Sequence, residues 1–117
     1  MTMTTTFDER ERAAELRFVR AEEARFHVRN RRNGLLAIWA REQMRLSGPP
    51  AEAYESAFTE FAVLADDNAL IERLLADLTS AGIATTARSL RAEMDRCAAL
   101  ARAEHRVGVA LDQGSSV

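Results

Sequence analysis

A chain of 117 residues, 47% of them hydrophobic, is long enough for one small domain with a modest core. Glycine (five) and proline (two) are scarce while alanine and leucine are plentiful, which favours an all-α fold. The net charge of −2, the single cysteine and the lack of a long apolar run argue against a dedicated nucleic-acid-binding protein, a disulfide-stapled domain and a membrane-spanning protein.

The first predicted element is a long helix that begins near the N-terminus. Residues 1–6 contain four threonines and neither a basic nor an apolar stretch, so they show no secretory signal and we expect a cytoplasmic protein. Thr6 or Asp8 is suited to cap the helix. Between residues 8 and 23, arginines and acids recur at helical spacing, and such pairs stabilise a helix.

The N-terminal part of this helix has few apolar residues. Phe18 and Phe26 are eight residues apart and therefore share one helix face, with Glu22 between them. A stripe this thin cannot dock firmly into a core. One interpretation is a solvated, partly frayed helix; the other is a helix that becomes ordered against a partner. We expect residues 1–20 to form a mobile arm.

A basic segment, residues 29–34, interrupts the apolar pattern; we call it the basic collar. Its six residues carry no apolar side chain. Gly34 costs a helix about 1 kcal/mol relative to alanine, so it indicates either a weak point or a close backbone approach.

The face from Arg25 to Arg45 is the basis of an alternative function. Residues 25–45 hold six arginines and one acid, whereas residues 48–80 hold one arginine and seven acids. A helical binding module could use this basic face to hold a nucleotide or nucleic acid, although the overall acidity of the chain counts against it. The candidate weak phosphate contacts are Arg29, Arg31, Arg32 and Asn33.

The remainder of the chain is predicted to form a scaffold. A wide apolar face centred on Trp39 is expected to anchor the first helix, which ends at the Ser47–Pro50 segment. The second helix is expected from about residue 50, with apolar residues at helical spacing up to Phe61 and Leu64.

Local signals delimit the last two helices. Asp66 and its two neighbours mark a stop and a cap, and Gly82 is suited to a left-handed C-terminal cap. Thr85 or Thr86 caps the last helix, whose apolar inner face includes Cys97.

Four helices with short connections predict an all-α, compact four-helix domain with a long first helix and a mobile N-terminal arm. The expected organisation is an arm at residues 1–20, a four-helix domain at 21–107 and a disordered tail at 108–117.

Catalytic chemistry finds little support in the sequence. His27 and His105 are far apart, and neither has a second ligand at metal-binding spacing. Cys97 lies within an apolar stripe and is most simply a buried small hydrophobe. We expect no enzyme, no cofactor and no metal.

Two groups of residues resemble a known family. The first is Thr6-Phe7-Asp8-x-Arg10-Glu11-Arg12-Ala13, followed by Glu15, Phe18, Glu22-Glu23 and Phe26. The second is Arg31-Arg32-Asn33-x-Leu35-Leu36-x-x-Trp39-Ala40, followed by Leu46-Ser47-Gly48 and Ala53-Tyr54. In order and spacing they resemble the zeta-subunit family of alphaproteobacterial F-type ATP synthases, natural inhibitors of ATP hydrolysis by that enzyme. The similarity extends from about residue 5 to residue 101.

The resemblance implies a four-helix domain with an inhibitory N-terminal segment. That segment would insert into the catalytic head of ATP synthase, at the interface of the alpha and beta subunits next to the gamma shaft, and block rotation in the hydrolytic direction. It further implies a free monomer that binds no nucleic acid, does not insert into membranes, and is peripheral at the inner face of the plasma membrane when bound. The inhibitory residues carried over are Phe7, Asp8, Arg10, Glu11, Arg12, Glu15, Phe18, Glu22 and Phe26.

Overall fold

The computed structural model describes the backbone of residues 2–115 and the side chains of residues 6–114. Within that range the chain forms four α-helices and no strand. The helices are α1 (Thr2–Gln43), α2 (Pro49–Ala62), α3 (Asp67–Ser80) and α4 (Ala87–Ser115). The prediction of an all-α, four-helix domain with a long first helix is therefore confirmed.

The length of α1 gives the molecule its elongated shape. A helix of 42 residues is about 63 Å long, and the molecule measures 70 × 31 × 23 Å. The C-terminal half of α1 packs against α2 and α4, whereas every side chain from 6 to 23 is exposed. The N-terminal half therefore projects from the four-helix body.

The predicted cap of α1 at Thr6 or Asp8 is wrong, because the helix already begins at Thr2. Extending an existing helix adds one hydrogen bond for each residue fixed, so the threonines join the helix rather than cap it. The helix also runs through the basic collar without a break. Nothing lies within 4 Å of the position that a Cβ would take on Gly34, so the close backbone approach is wrong as well.

One cluster of buried side chains from all four helices forms the core. Cys97 is fully buried, as predicted, and Trp39 packs against the cluster while remaining partly exposed. The buried members are Leu36, Ala37, Ala40, Phe58, Ala62, Leu70, Ile71, Leu74, Leu78, Leu90, Met94 and Cys97.

The predicted caps of α3 and α4 are confirmed. The Asp66 carboxylate accepts a hydrogen bond from the backbone N–H of Ala69 at 2.8 Å, and the Thr86 hydroxyl accepts one from the N–H of Ser89 at 3.1 Å. Gly82 follows α3 with a φ of 79°, the left-handed conformation that glycine adopts without steric cost.

A partly buried polar contact joins α2 to α3. The Tyr54 hydroxyl donates to an Asp77 carboxylate oxygen at 2.8 Å, and the same oxygen accepts from Arg73 Nε at 3.1 Å. Burial, and then this hydrogen bond, raise the pKa of Tyr54 well above the ordinary tyrosine range. The pair holds the second and third helices in register beside the core.

The end of α2 differs from the sequence prediction. The helix stops at Ala62, so Leu64 lies in the turn to α3 and is 95% exposed. Phe61 is also exposed, and the Arg73 guanidinium lies 4.9 Å from the centre of its ring. The predicted apolar face of α2 is therefore wrong at these two residues, because the chain leaves the helix before Leu64 can reach the core.

The C-terminal end of the described chain is helical. α4 continues through Gly108 to Ser115, where the sequence favours disorder, and residues 116 and 117 lie outside the described range. A single glycine costs a helix only about 1 kcal/mol, so the helix passes through it. The division of the chain at residues 20 and 107 stays a prediction. Over the described residues, none of the helices combines the length and hydropathy of a membrane span.

Candidate partner-binding surface

The nine residues predicted to form the inhibitory segment lie on α1 between residues 7 and 26, and all are exposed. Phe7, Phe18 and Phe26 are exposed to 67%, 66% and 63%. An aromatic ring left in water keeps a large apolar area that burial would remove, and grouped exposures of this kind are typical of interaction surfaces.

Seven of the nine residues share a single face of α1, because they follow one another at helical steps of one, three or four. This acidic–aromatic face combines three phenyl rings with four carboxylates. Arg10 and Arg12 lie outside it, as do Arg17 and Arg20. Its members are Phe7, Asp8, Glu11, Glu15, Phe18, Glu22 and Phe26.

The acidic–aromatic face is in register with the buried face of the same helix. Phe26, Asn33 and Ala40 are seven residues apart, so they lie along one side of α1. Asn33 and Ala40 are buried in the body, whereas Phe26 is not covered. The arm therefore extends the docking side of α1 beyond the helices that cover it.

Two further apolar side chains of the arm were missed as candidate site residues. Leu16 is 49% exposed and Val19 is 48% exposed. Val19 follows Phe18 and precedes Phe26 by seven residues, so it borders the acidic–aromatic face. The signal was present in the sequence, since both residues are apolar within a densely charged segment.

An ion pair lies at the end of the acidic–aromatic face nearest the body. The Arg25 guanidinium donates to the Glu22 carboxylate one helical turn away. Such an exposed pair contributes little to stability and can exchange for an intermolecular pair. It reduces the negative charge of the acidic–aromatic face at its end nearest the body.

The arginines of the basic collar contact the body of the domain. Arg31 donates to the Glu104 carboxylate through two nitrogens, at 2.7 and 3.4 Å. This hydrogen bond raises the pKa of Arg31 and lowers the pKa of Glu104. Glu104 belongs to α4, so the contact ties α1 to the last helix at the point where the arm leaves the body.

Arg32 and Asn33 make a second attachment. Arg32 donates to the Asn33 amide oxygen at 2.9 and 3.0 Å and to the Asp67 carboxylate at 2.9 Å. Asn33 is 4% exposed and the Arg32 side chain 11%, so these bonds satisfy polar groups that have little access to water. Arg29 adds a third attachment, donating to the Ala65 carbonyl in the α2–α3 turn.

The basic collar therefore acts as a clamp that fastens the root of the arm to α3, α4 and the turn between α2 and α3. A phosphate bound here would have to compete with carboxylate, amide and carbonyl acceptors already in place. A groove of about 450 Å³ does lie beside the clamp, with four arginines in its walls. These are Arg25, Arg29, Arg32 and Arg102.

The two histidines, far apart in the sequence, line one cleft of about 350 Å³ between α1 and α4. Arg31 and Glu104 share that cleft, which the sequence did not reveal because it depends on how the two helices align.

Among the described residues, no group of three or more histidine, cysteine or acidic side chains could hold a metal ion. Burial, first among the causes, raises the pKa of the Cys97 thiol, so little of the reactive thiolate forms near neutral pH.

Comparison with known proteins identifies a family. The sequence model of a protein family described as "ATPase inhibitor subunit zeta" matches residues 3–104, which include the arm, the clamp and most of α4. No curated protein and no solved structure matches the chain.

Proposed function

The chain belongs to the ATPase inhibitor subunit zeta family, and from that premise we propose that it inhibits ATP hydrolysis by inserting its arm into the catalytic head of F-type ATP synthase. Membership of the family supports a role as an ATP synthase inhibitor and implies interaction with that enzyme. It also suggests a regulatory protein rather than a catalytic one.

The observation that carries the proposal is the uncovered acidic–aromatic face. Three phenyl rings remain largely in water on the part of α1 that the other described helices do not cover. Burying each ring stabilises a complex by about 1.5–3 kcal/mol before the cost of ordering is subtracted. The carboxylates between the rings supply charge complementarity and keep the free arm soluble.

The proposed mechanism is mechanical. The arm enters the interface of the alpha and beta subunits next to the gamma shaft and is bound more tightly in one rotary state than in the others. Differential binding of this kind holds the enzyme in the favoured state and stops hydrolysis, and it needs no catalytic group on the inhibitor. The free protein is a monomer in the cytoplasm that becomes peripheral to the membrane when bound to ATP synthase.

The test is ATP hydrolysis by the purified catalytic head of ATP synthase from the same organism, with the full-length protein added during turnover. A second sample contains the chain without residues 1–20. We expect the full chain to inhibit and the shortened chain to be inactive while keeping the helical circular dichroism of the body. Equal inhibition by the shortened chain would refute the wedge mechanism.

The basic groove beside the clamp supports a second candidate, weak binding of a nucleotide phosphate. Arg25, Arg29 and Arg32 already contact acceptors within the protein, so we rank this candidate below inhibition. Amide resonances of residues 29–33, followed during addition of ADP or ATP, decide it. Shifts that saturate at low salt support a phosphate site, and unchanged resonances end this interpretation.

A further inference from the structure

We propose that the turn between α2 and α3 is a second contact with the partner that receives the arm, and that it determines how far the arm inserts. The proposal rests on the proposed function, since it identifies a further part of the same interface. Its centre is the exposed pair Val63 and Leu64, whose side chains are not part of the hydrophobic core.

Val63 and Leu64 are among the most exposed apolar side chains of the described chain, at 71% and 95%. Leu64 follows the end of α2, and its side chain therefore stabilises neither the helix nor the core. Two such residues alone would be unremarkable on a protein surface. Their position at the root of the arm distinguishes them from scattered exposed residues.

The turn lies at the root of the arm. Arg29 donates to the Ala65 carbonyl, which fixes the turn against α1. Val63 also lines a groove of about 400 Å³ whose opposite wall includes Asn30 and Asn33. Asn30 is one helical turn, about 6 Å, from Phe26, the last ring of the acidic–aromatic face.

The acidic–aromatic face and the turn therefore belong to one surface. Most of this surface lies on the arm, and the turn adds a smaller part on the body, at the base of the arm. Asn30, which lines the groove with Val63, is one helical turn from Phe26, so a partner that covers the face as far as Phe26 ends close to that groove. Contact there would stop the arm from sliding further in.

The arm and the turn both combine exposed apolar side chains with carboxylates. Carboxylates lie among the phenyl rings on the arm, and the exposed acids Glu60, Asp66 and Asp67 flank the aliphatic pair in the sequence. Asp67 is paired with Arg32 and Arg29 contacts the Ala65 carbonyl, so Glu60 and Asp66 supply the remaining negative charge beside the pair. One occupant therefore fits both the arm and the turn: the rim of the catalytic head, presenting an apolar socket bordered by basic side chains.

The experiment uses full-length protein, with binding to the catalytic head measured separately from inhibition. The variant Val63→Ser/Leu64→Ser removes the aliphatic pair, and Leu111→Ser is its matched control because Leu111 is 68% exposed, in a groove lined by α4 residues. Binding is followed by the anisotropy of a fluorophore on residue 115. The photo-crosslinking variants Leu64→p-benzoylphenylalanine and Leu111→p-benzoylphenylalanine report direct contact.

We expect the double variant to bind about tenfold more weakly with unchanged helical content, and the control to stay within about twofold of the original chain. Position 64 should crosslink to a subunit of the head, and position 111 should not. Unchanged affinity together with absent crosslinking at position 64 would overturn the proposal, as would crosslinking of position 64 to a second copy of this chain.

Separate readouts distinguish this proposal from the proposed function. If the full chain binds without inhibiting, the inhibitory function fails, while a crosslink at position 64 still supports the contact. If the chain inhibits, while the double variant is equal to it in affinity and position 64 does not crosslink, the contact fails and inhibition stands. Absence of any binding overturns both.

Discussion

Two regions of α1 share a helix and a face but not an environment. In residues 36–40 that face is aliphatic and covered by the other helices, with Leu36, Ala37 and Ala40 fully buried. In residues 6–23 the same face carries phenyl rings and carboxylates and is covered by nothing in the described chain. One continuous helix is therefore a core element at one end and an uncovered surface at the other. The basic collar marks the border between the two.

The largest expected effect comes from paired truncations in the two regions. Leu36→Ala removes a fully buried side chain and should lower the free energy of unfolding by about 2–5 kcal/mol. Phe18→Ala should change it by less than about 0.5 kcal/mol, because the ring is largely in water. Urea unfolding followed by circular dichroism measures both.

The same two variants separate stability from function. Phe18→Ala should weaken inhibition of ATP hydrolysis by about tenfold or more, as expected for an anchoring ring at an interface. A large loss of stability from Phe18→Ala would contradict the comparison, since it would mean that the arm packs on its own body in solution.

The clamp should show the next largest effect. Asn33→Ala removes the acceptor of two Arg32 hydrogen bonds in a poorly hydrated site, and we expect a loss of about 1–3 kcal/mol in unfolding free energy. Asn30→Ala, one turn nearer the arm and exposed, is the control and should cost less than about 0.5 kcal/mol. Equal losses of unfolding free energy in the two variants would contradict a border between the covered and the uncovered part of α1 at the basic collar.

Gly34→Ala should act in the opposite direction. A Cβ at this position meets nothing within 4 Å, and alanine favours a helix over glycine by about 0.5–1 kcal/mol. We expect a gain of that size in unfolding free energy. Hydrogen exchange of the amides from 28 to 36 should slow as well. If the variant loses inhibition without losing stability, bending at Gly34 is part of the insertion and the two regions are not one rigid helix when bound.

The smallest expected effect is a pH dependence of the clamp. The hydrogen bond from Arg31 lowers the pKa of Glu104 in the folded state, so the carboxylate stabilises the fold above the ordinary glutamate pKa of about 4.3. That contribution is lost as the pH falls through the lowered pKa. Glu104→Gln should therefore reduce the difference in melting temperature between about pH 7 and pH 3 relative to the original chain. Equal pH profiles of the variant and the original chain would show that the Arg31 contact does not stabilise the fold.

The number and order of the helices could be read from the sequence because their signals are local. The caps at Asp66 and Thr86 and the left-handed Gly82 each depend on residues within one helical turn. The same locality explains the error at Thr6, where a good capping residue lies inside a helix that had already started. It also explains Leu64, whose helical spacing continued after the helix had ended.

An all-α chain with a long first helix follows from the sequence. The placement of the aromatic and acidic residues of the arm on one face also follows from it, because helix periodicity is a property of consecutive residues. Tertiary structure alone decided which part of that face would be covered. It also decided that Arg31 would meet Glu104, that the histidines would share a cleft, and that Val63 would line a groove with Asn30 and Asn33 at the root of the arm. These contacts join residues far apart in the chain. They depend on the direction and length of the packed helices, and no local pattern carries that information.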